Sequence, residues 1–165
     1  MASKTQLAFA RQVYAAAVEA KTEIDPAFVT AQAMLETGWG ARGITRGSQW
    51  DGDIVMVKTH EYFKTPKQKF KEPDRIVSVC KAAGKNLWYY TVMRAFKDFD
   101  SIGDCLKEHE RLFQKPGYKD AWPCRKDPFK FAQKICDGVG CKYATDPTYL
   151  TTITSIIKTI RRKCV

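Results

Sequence analysis

Residues 25–40 read DPAFVTAQAMLETGWG, and this stretch decides the fold of the first part of the chain. Its opening Asp-Pro pair combines a good N-cap with a proline that suits the first helical turn. Mostly apolar residues follow, which predicts a largely buried helix. Gly38 and Gly40 favour the backbone conformations that end a helix. The pattern therefore places Glu36 in the last turn of a buried helix.

Helices are also predicted on both sides of this stretch. An alanine-rich segment precedes it, and alanine is the best helix former. Later in the chain, an Asp-Ser pair and two Asp-Pro pairs provide N-caps for further helices. The predicted helices run from Lys4 to Lys21, from Asp100-Ser101 through Phe113, and onward from Asp127-Pro128 and from Asp146-Pro147.

Between the helical regions, β-branched and aromatic runs alternate with turn residues, which predicts a small antiparallel sheet. The runs are Ile54–Val57, Arg75–Val79 and Trp88–Val92, and the turns lie at Asp51-Gly52, Lys64–Pro66 and Ala83–Asn86. The predicted fold class is α+β, with a small antiparallel β-sheet lobe inserted in a helical body and a cleft between the two. We expect one domain that spans residues 1–165.

The charge of the chain restricts its partners. Its 165 residues carry 28 Lys and Arg against 18 Asp and Glu, and the net charge of +10 attracts polyanions such as bacterial walls, anionic lipid surfaces and nucleic acid. No apolar run approaches the roughly 20 residues of a membrane-spanning helix, and the first residues lack the apolar stretch of a signal peptide. We expect a monomer that is made in the cytoplasm.

The six cysteines lack the spacing of a metal site. They include no Cys-x-x-Cys pair, and the only histidines, His60 and His109, are far apart in sequence. Without a secretory signal, an even number of cysteines is weak evidence for disulfides, so free buried thiols are the favoured interpretation. We expect neither a metal ion nor another cofactor.

Glu36 is the carboxylate most suited to general acid catalysis. Partial burial, the negative end of its helix and an apolar wall supplied by Trp39 would all favour the protonated form. Such a carboxyl group can give its proton to a glycosidic oxygen. The alternative is a solvated glutamate at a fraying helix end.

Other side chains suit supporting roles in glycoside hydrolysis. Glu61 follows the first strand, where it is either the second carboxylate that this reaction usually needs or an exposed charge at a strand edge. Tyr143 and Tyr149 bracket the start of the last helix, where a phenol either binds a sugar or anchors the helix.

Four segments of the chain, taken in order, are similar to the motifs of one family. Residues 31–40 (AQAMLETGWG) resemble the first motif of the bacterial N-acetylglucosaminidases, a family that includes flagellar-rod and autolytic peptidoglycan hydrolases. The later segments are Thr59–Tyr62, Met93–Phe96 and Tyr143–Tyr149, which look like the family motifs Thr-x-Glu-Tyr, Phe-Arg-x-Tyr and Tyr-Ala-Thr-Asp-Pro-x-Tyr. The family has an Asn-Leu-Phe-Gly-Ile-Lys segment between the Trp-Gly turn and the hairpin, and this chain lacks it. Arg46–Ser48 is followed directly by Gln49–Gly52 instead.

The resemblance implies a lysozyme-like α+β fold and an enzyme that cleaves the β-1,4 bond after N-acetylglucosamine in peptidoglycan. It also implies roles for individual residues. These are Glu36 as catalytic acid, Glu61 as second carboxylate and Tyr143 as a supporting residue, to which we add substrate contacts by Trp39, Tyr62 and Tyr149.

A basic catalytic domain without a signal peptide or wall-binding repeat also resembles the endolysins of phages that infect Gram-negative hosts. Such an enzyme is made in the host cytoplasm and reaches the periplasmic wall when a holin opens the inner membrane. The expected partners are then peptidoglycan and the anionic outer-membrane surface, and not nucleic acid. Two alternatives stay open: a muramidase or lytic transglycosylase of the same fold, and a non-enzymatic cationic protein that binds membranes or nucleic acid.

Overall fold

A computed structural model of the chain describes residues 1–40, 54–97, 99–137, 143–144 and 146–165. Its elements are α1 (Lys4–Glu19), α2 (Pro26–Thr37), β1 (Ile54–Phe63), β2 (Arg75–Lys81), β3 (Trp88–Lys97), α3 (Ile102–Glu110), α4 (Pro128–Cys136) and α5 (Tyr149–Lys163), with 3-10 turns at Arg111–Gln114, Pro116–Tyr118 and Trp122–Cys124. The predicted turn at Asp51-Gly52, the Arg46–Gly52 passage and Cys141 lie outside the described residues. The α+β class is confirmed.

Two compact units make up the chain. The helical unit comprises residues 1–44 and 100–165, and the sheet unit comprises residues 45–99. The sheet is therefore inserted in the sequence of the helical unit, as predicted from the order of the elements. That both units form one catalytic domain with a cleft stays a prediction.

Helix α2 has the termini that its sequence predicts. The Asp25 carboxylate accepts a hydrogen bond from the Ala27 amide at 2.8 Å, and Pro26 occupies the first turn. At the other end, Gly38 adopts a left-handed φ of 59°. Most of the side chains between these caps are buried in the core of the helical unit.

The helices after the sheet begin as predicted in two of three cases. The Ser101 hydroxyl caps α3 and the Asp127 carboxylate caps α4, each by accepting hydrogen bonds from backbone amides of the first turn. The helix that starts at Ser101 is α-helical only to Glu110, and a 3-10 turn continues it to Gln114. The prediction of one helix through Phe113 is therefore correct in position but not in type.

The third predicted start, at Asp146-Pro147, is wrong. The Asp146 carboxylate accepts hydrogen bonds from the amide and the hydroxyl of Thr148, at 2.8 Å and 2.7 Å. The bond from the Thr148 amide has the same spacing as the caps at Asp25 and Asp127, yet α5 begins only at Tyr149, two residues after Pro147.

The sheet unit is a three-stranded antiparallel sheet in the order β1-β3-β2. All three strands extend beyond the predicted runs. Successive residues of a strand point to opposite faces, so Glu61, which pairs with Tyr90, and Tyr62, which pairs with Tyr89, lie on different faces. Tyr90 is fully buried on the face of Glu61.

Aromatic and aliphatic side chains form the core of the helical unit. Phe28 packs edge-on against Phe131, with ring centroids 4.8 Å apart, and Phe113 contacts both rings. Isoleucines of α5 complete the core. Ile153, Ile157 and Ile160 are spaced so that they share one face of the helix, and all three are fully buried. Among the helices that the structure describes, none is long and apolar enough to cross a membrane.

The thiols differ from the expectation. Cys80 is an exposed free thiol on β2, and Cys124, Cys136 and Cys164 are free thiols that are only partly buried. The expectation of buried thiols is therefore wrong for these four residues.

Glu110 joins α3 to the connection between α1 and α2, and its removal should destabilise the helical unit. The carboxylate is 2% exposed, accepts hydrogen bonds from the amides of Glu23 and Ile24, and pairs with Lys107 at 3.0 Å. We expect Glu110→Ala to lower the free energy of unfolding by about 2–4 kcal/mol, because the buried Ile24 amide and the part-buried Glu23 amide lose their acceptor. Urea denaturation measures this, with Glu108→Ala as control, since Glu108 lies on the same helix and is only partly buried. Equal small changes would contradict the interpretation.

Candidate active site

A tight turn fixes the backbone immediately after Glu36. The Thr37 hydroxyl donates a hydrogen bond to the Ala33 carbonyl at 2.6 Å and accepts one from the Gly40 amide at 3.0 Å. Residues 38–40 all have positive φ, including Trp39 at 58°, a conformation that a tryptophan rarely adopts. The glycines and the threonine thus end α2 directly after the predicted acid.

The structure brings Glu36 together with Tyr143. The Tyr143 hydroxyl donates a hydrogen bond to Glu36 Oε1 at 2.7 Å, across 107 positions of the sequence. The Glu36 side chain is nevertheless exposed. Partial burial, one of the three expected reasons for a protonated acid, is therefore wrong, because Glu36 lies on the exposed side of the last turn, where Met34 and Thr37 are buried.

Two neighbouring aromatic rings pack against Tyr143. Its centroid lies 5.3 Å from that of Phe113 and 5.3 Å from that of Tyr149. Burial raises the pKa of the Tyr143 phenol, and the nearby Glu36 carboxylate adds to this rise. The phenol therefore stays protonated and remains a hydrogen-bond donor to Glu36.

Tyr149 lies beneath Tyr143 rather than at the surface. It is 8% exposed, its hydroxyl has no hydrogen-bond partner among the described residues, and burial raises the pKa of its phenol. A ring this deeply buried has no free face for a sugar, so its predicted substrate contact is not favoured. It instead supports the ring of Tyr143.

Trp39 lines a shallow depression of about 520 Å³ on the helical unit, together with Leu35 of α2 and Thr151 and Ser155 of α5. Glu36 is not among the residues that line it. The ring is partly buried against the core. This placement is compatible with the predicted substrate contact by Trp39. It does not support the expectation that the Trp39 ring forms an apolar wall beside Glu36.

Glu61 belongs to an ion-pair cluster on one face of the sheet. Both of its carboxylate oxygens accept hydrogen bonds from Arg94, at 2.7 Å and 2.9 Å, and Thr59 donates a third. Arg94 also pairs with Asp74 at 2.9 Å. The hydrogen bonds from Arg94 lower the pKa of Glu61, so this carboxylate is ionised at neutral pH.

Tyr62 lies on the opposite face of the sheet from Glu61. Its ring is 52% exposed, packs against Tyr89 at 5.2 Å, and carries the Lys85 ammonium group 5.2 Å above its centroid. An exposed aromatic ring suits contact with a sugar face. The alternation of the strand nevertheless separates this ring from the Glu61 carboxylate.

Comparison with known proteins identifies the family. A family model described as glucosaminidase, mannosyl-glycoprotein endo-beta-N-acetylglucosaminidase, matches residues 12–162. The chain belongs to this glucosaminidase family. The match spans both compact units, and the predicted family, and with it the prediction of a glycosidase, is confirmed.

Individual relatives agree with this assignment. The peptidoglycan hydrolases FlgJ of Vibrio parahaemolyticus and Pseudomonas aeruginosa are 28% and 27% identical over 76% and 82% of the chain, which spans 37% and 31% of their lengths. The chain thus covers only about a third of these relatives. The catalytic domain of the Listeria monocytogenes autolysin Auto has the same fold, with a TM-score of 0.66, 21% identity, and coverage of 98% of this chain and 87% of that one.

Several polar residues near the predicted site residues of this glucosaminidase have no predicted role. Gln32 is buried one helical turn before Glu36, and its Oε1 lies 3.0 Å from His109 Nε2. Gln32 could have been found from the sequence, because it is a polar side chain in a mostly apolar helix. No feature of the sequence pointed to His109. Of the two partners in the ion pair between Arg94 and Asp74, only Arg94 lies in a segment that resembles a family motif.

The Arg94 cluster should make the stability of this glucosaminidase depend on acid pH. Arg94 lowers the pKa of Glu61 below its ordinary 4.5, and the Ala95 amide followed by Arg94 lowers that of Asp74 below 3.8. A lowered pKa in the folded state gives stability that is present above the ordinary value and lost as the pH falls through the folded one.

We therefore expect Arg94→Met to be less stable than the wild type at about pH 7, with the difference shrinking as the pH falls below about 4.5. Urea denaturation at several pH values measures it. A difference that stays constant into strong acid would assign the effect to packing of Arg94 on the Phe70 ring, which lies 4.5 Å from its guanidinium.

Proposed function

We propose that this glucosaminidase hydrolyses the glycan strands of peptidoglycan at the β-1,4 bond that follows N-acetylglucosamine. The observation that carries the proposal is the 2.7 Å hydrogen bond from Tyr143 to Glu36, because it joins the residues that the first and last family motifs single out. The curated relatives are named peptidoglycan hydrolases, which supports the wall glycan as substrate.

Glu36 acts as the general acid. The Tyr143 hydroxyl occupies Oε1, so the proton of the carboxyl group is carried by Oε2. From there it passes to the glycosidic oxygen as the bond to the leaving sugar breaks. The exposure of Glu36 suits a polymeric substrate, since a wall glycan reaches only a group that is open to the surface.

Glu61 acts as the second carboxylate. Its bonds to Arg94 keep it ionised, as a general base or a stabilising charge must be. We propose that it activates a water molecule, which gives inversion of the anomeric carbon. Trp39 and Tyr62 are the proposed substrate contacts, because both rings retain exposed surface; Tyr149 would have to move to contribute.

The products of digestion test the proposal. Purified peptidoglycan treated with the protein should release fragments with N-acetylglucosamine at the reducing end, identified by mass spectrometry. Muramic acid at the reducing end would show a muramidase, and an anhydro sugar would show a lytic transglycosylase. A failure to release any fragment, under conditions where the protein is folded, would contradict glycan hydrolysis altogether.

The cellular setting that we propose is that of a phage endolysin, made in the host cytoplasm and released to the periplasmic wall. Its net charge of +10 supports recruitment to an anionic wall. Salt shortens the reach of such charges, from about 10 Å at 0.1 M to about 3 Å at 1 M.

Lysis of outer-membrane-permeabilised cells should therefore fall several-fold as salt rises from about 0.05 M to about 0.5 M, measured by turbidity. Cleavage of short soluble glycan fragments is the control, because it needs no recruitment and should change little. Lysis that is insensitive to salt would rule out recruitment by charge.

A further inference from the structure

A buried amide lies directly behind the pair of Tyr143 and Glu36. Gln32 is 2% exposed and lies one turn before Glu36 on α2. Its Oε1 is 3.0 Å from Nε2 of His109, which projects from α3. Its Nε2 has no hydrogen-bond partner among the described residues, and neither does the buried hydroxyl of Tyr149. A buried donor without a partner calls for a functional or structural explanation.

Contacts around Gln32 place its side chain near Tyr143, because Glu36, one turn further along α2, bonds to Tyr143, and the rings of His109 and Tyr143 both contact Phe113. Burial raises the pKa of Tyr143 and of Tyr149, and Gln32 acts on both in the opposite direction, as a hydrogen-bond donor to a phenolic oxygen does. In the structure, Gln32 Nε2 makes no hydrogen bond to either phenolic oxygen, so the bond to Tyr143 belongs to the proposal and not to the observations.

The direction of the hydrogen bonds follows from counting protons. Tyr143 has one hydroxyl proton, and it is donated to Glu36 Oε1. Any further bond to the Tyr143 oxygen must come from a donor, which is what Gln32 Nε2 supplies. Gln32 Oε1 is then the end that accepts from His109, so the proton of the imidazole is placed on Nε2.

We propose that Gln32, oriented by His109, is a positioning residue that holds the Tyr143 hydroxyl as a donor to Glu36. The hydrogen-bond chain runs in one direction from His109 through Gln32 and Tyr143 to Glu36. It keeps Oε1 of Glu36 occupied, so the catalytic proton is carried by Oε2. The inference rests on the proposed function, in which Glu36 is the general acid.

In this series of hydrogen bonds, His109 is the residue that fixes which group donates and which group accepts. Without the imidazole N–H, the Gln32 amide is free to turn its oxygen toward the phenols. That oxygen would then compete with Glu36 for the proton of Tyr143. The loss of one N–H on α3 would in this way release the carboxyl group on α2.

Two substitutions at one position separate the N–H from the bulk of the side chain. His109→Phe keeps a ring for the edge-on contact with Phe113 but removes the donor, whereas His109→Gln keeps a donor. With soluble peptidoglycan fragments as substrate, we expect His109→Phe to lower kcat roughly tenfold with KM nearly unchanged. His109→Gln should recover most of the rate. Equal kcat for His109→Phe and the wild type would overturn the proposal.

A double substitution tests whether the effect passes through Tyr143. In a Tyr143→Phe background the phenol has no proton to direct, so adding His109→Phe should change kcat little further. A general packing role for His109 predicts the same fold-loss in both backgrounds. That result would also overturn the proposal.

A readout without catalysis distinguishes this inference from the proposed function. In protein labelled with ¹³C at the tyrosine ring carbon that bears the hydroxyl, Tyr143→Phe identifies the Tyr143 signal. His109→Phe should shift that signal, and His109→Gln should shift it less. If the signal moves but the wild type releases no fragment, the proposed function fails and the hydrogen-bond chain stands. If the wild type cleaves peptidoglycan but neither the Tyr143 signal nor kcat changes in His109→Phe, the proposed hydrogen-bond chain is wrong and the proposed function stands.

Discussion

Glu36→Gln is expected to lower the rate of fragment release from purified peptidoglycan by about 10²- to 10⁴-fold, because the amide cannot donate a proton to the leaving oxygen. The fold should be unaffected. The amide oxygen can still accept the hydrogen bond from Tyr143, and the exposed side chain leaves no gap in the core. The melting temperature should equal or exceed that of the wild type, since the amide can never place a negative charge at the negative end of α2.

Glu19→Gln is the matched control for this experiment. Glu19 is the last residue of α1, is exposed like Glu36, and belongs to the same helical unit. It should keep the wild-type rate and show a comparable gain or no change in melting temperature. A Glu36→Gln protein that is as active as Glu19→Gln would remove the acid from the mechanism and favour disruption of cells by charge alone.

Glu61→Gln is expected to lower kcat by a similar factor, about 10²- to 10⁴-fold, if the carboxylate activates the attacking water. The amide keeps an oxygen for one bond from Arg94 but is neutral and cannot take up the proton. NMR of the first product formed by the wild type should show an inverted anomeric carbon. Retained configuration would contradict water activation by Glu61 and favour direct attack on the sugar.

Asp74→Asn is the control for Glu61→Gln, because it weakens the other ion pair of the same arginine. Both variants should lose a similar part of the stability of the sheet unit, whereas only Glu61→Gln should lose most of its activity. Small and equal effects on kcat would make Glu61 a structural partner of Arg94. A single acid would then remain, with which a lytic transglycosylase can work, and anhydro products would be expected.

The starts of helices were predictable where one side chain decides them. Asp25, Ser101 and Asp127 each cap the amides that follow them, and this bond forms between near neighbours in the sequence. Asp146 carries the same signal and accepts a hydrogen bond from the Thr148 amide, yet α5 starts at Tyr149, two residues after Pro147. The packing of Tyr149 against Tyr143 is not visible in the local sequence.

Site residues were predictable by type, but their contacts were not. The sequence indicates that Glu36 ends a buried helix, yet the exposure of the Glu36 side chain depends on what packs around that last turn. Glu61 was predicted as an acidic residue near a strand, whereas its pairing with Arg94 requires the register of β1 against β3. The alternation of side chains along β1 places Tyr62 on the other face, and this follows once residues 61 and 62 are known to share a strand.

The sequence by itself determined the family, the α+β class and the turn that ends α2 after Glu36, because each depends on residues that are close together in the chain or on motifs in a fixed order. Only the tertiary structure decided that Tyr143 donates to Glu36 and that His109 holds Gln32 behind them. These contacts join residues 107 and 77 positions apart. They form where His109 of α3 and Tyr143, which lies before α5, meet side chains of α2, and no local pattern encodes which side chains such packing brings together.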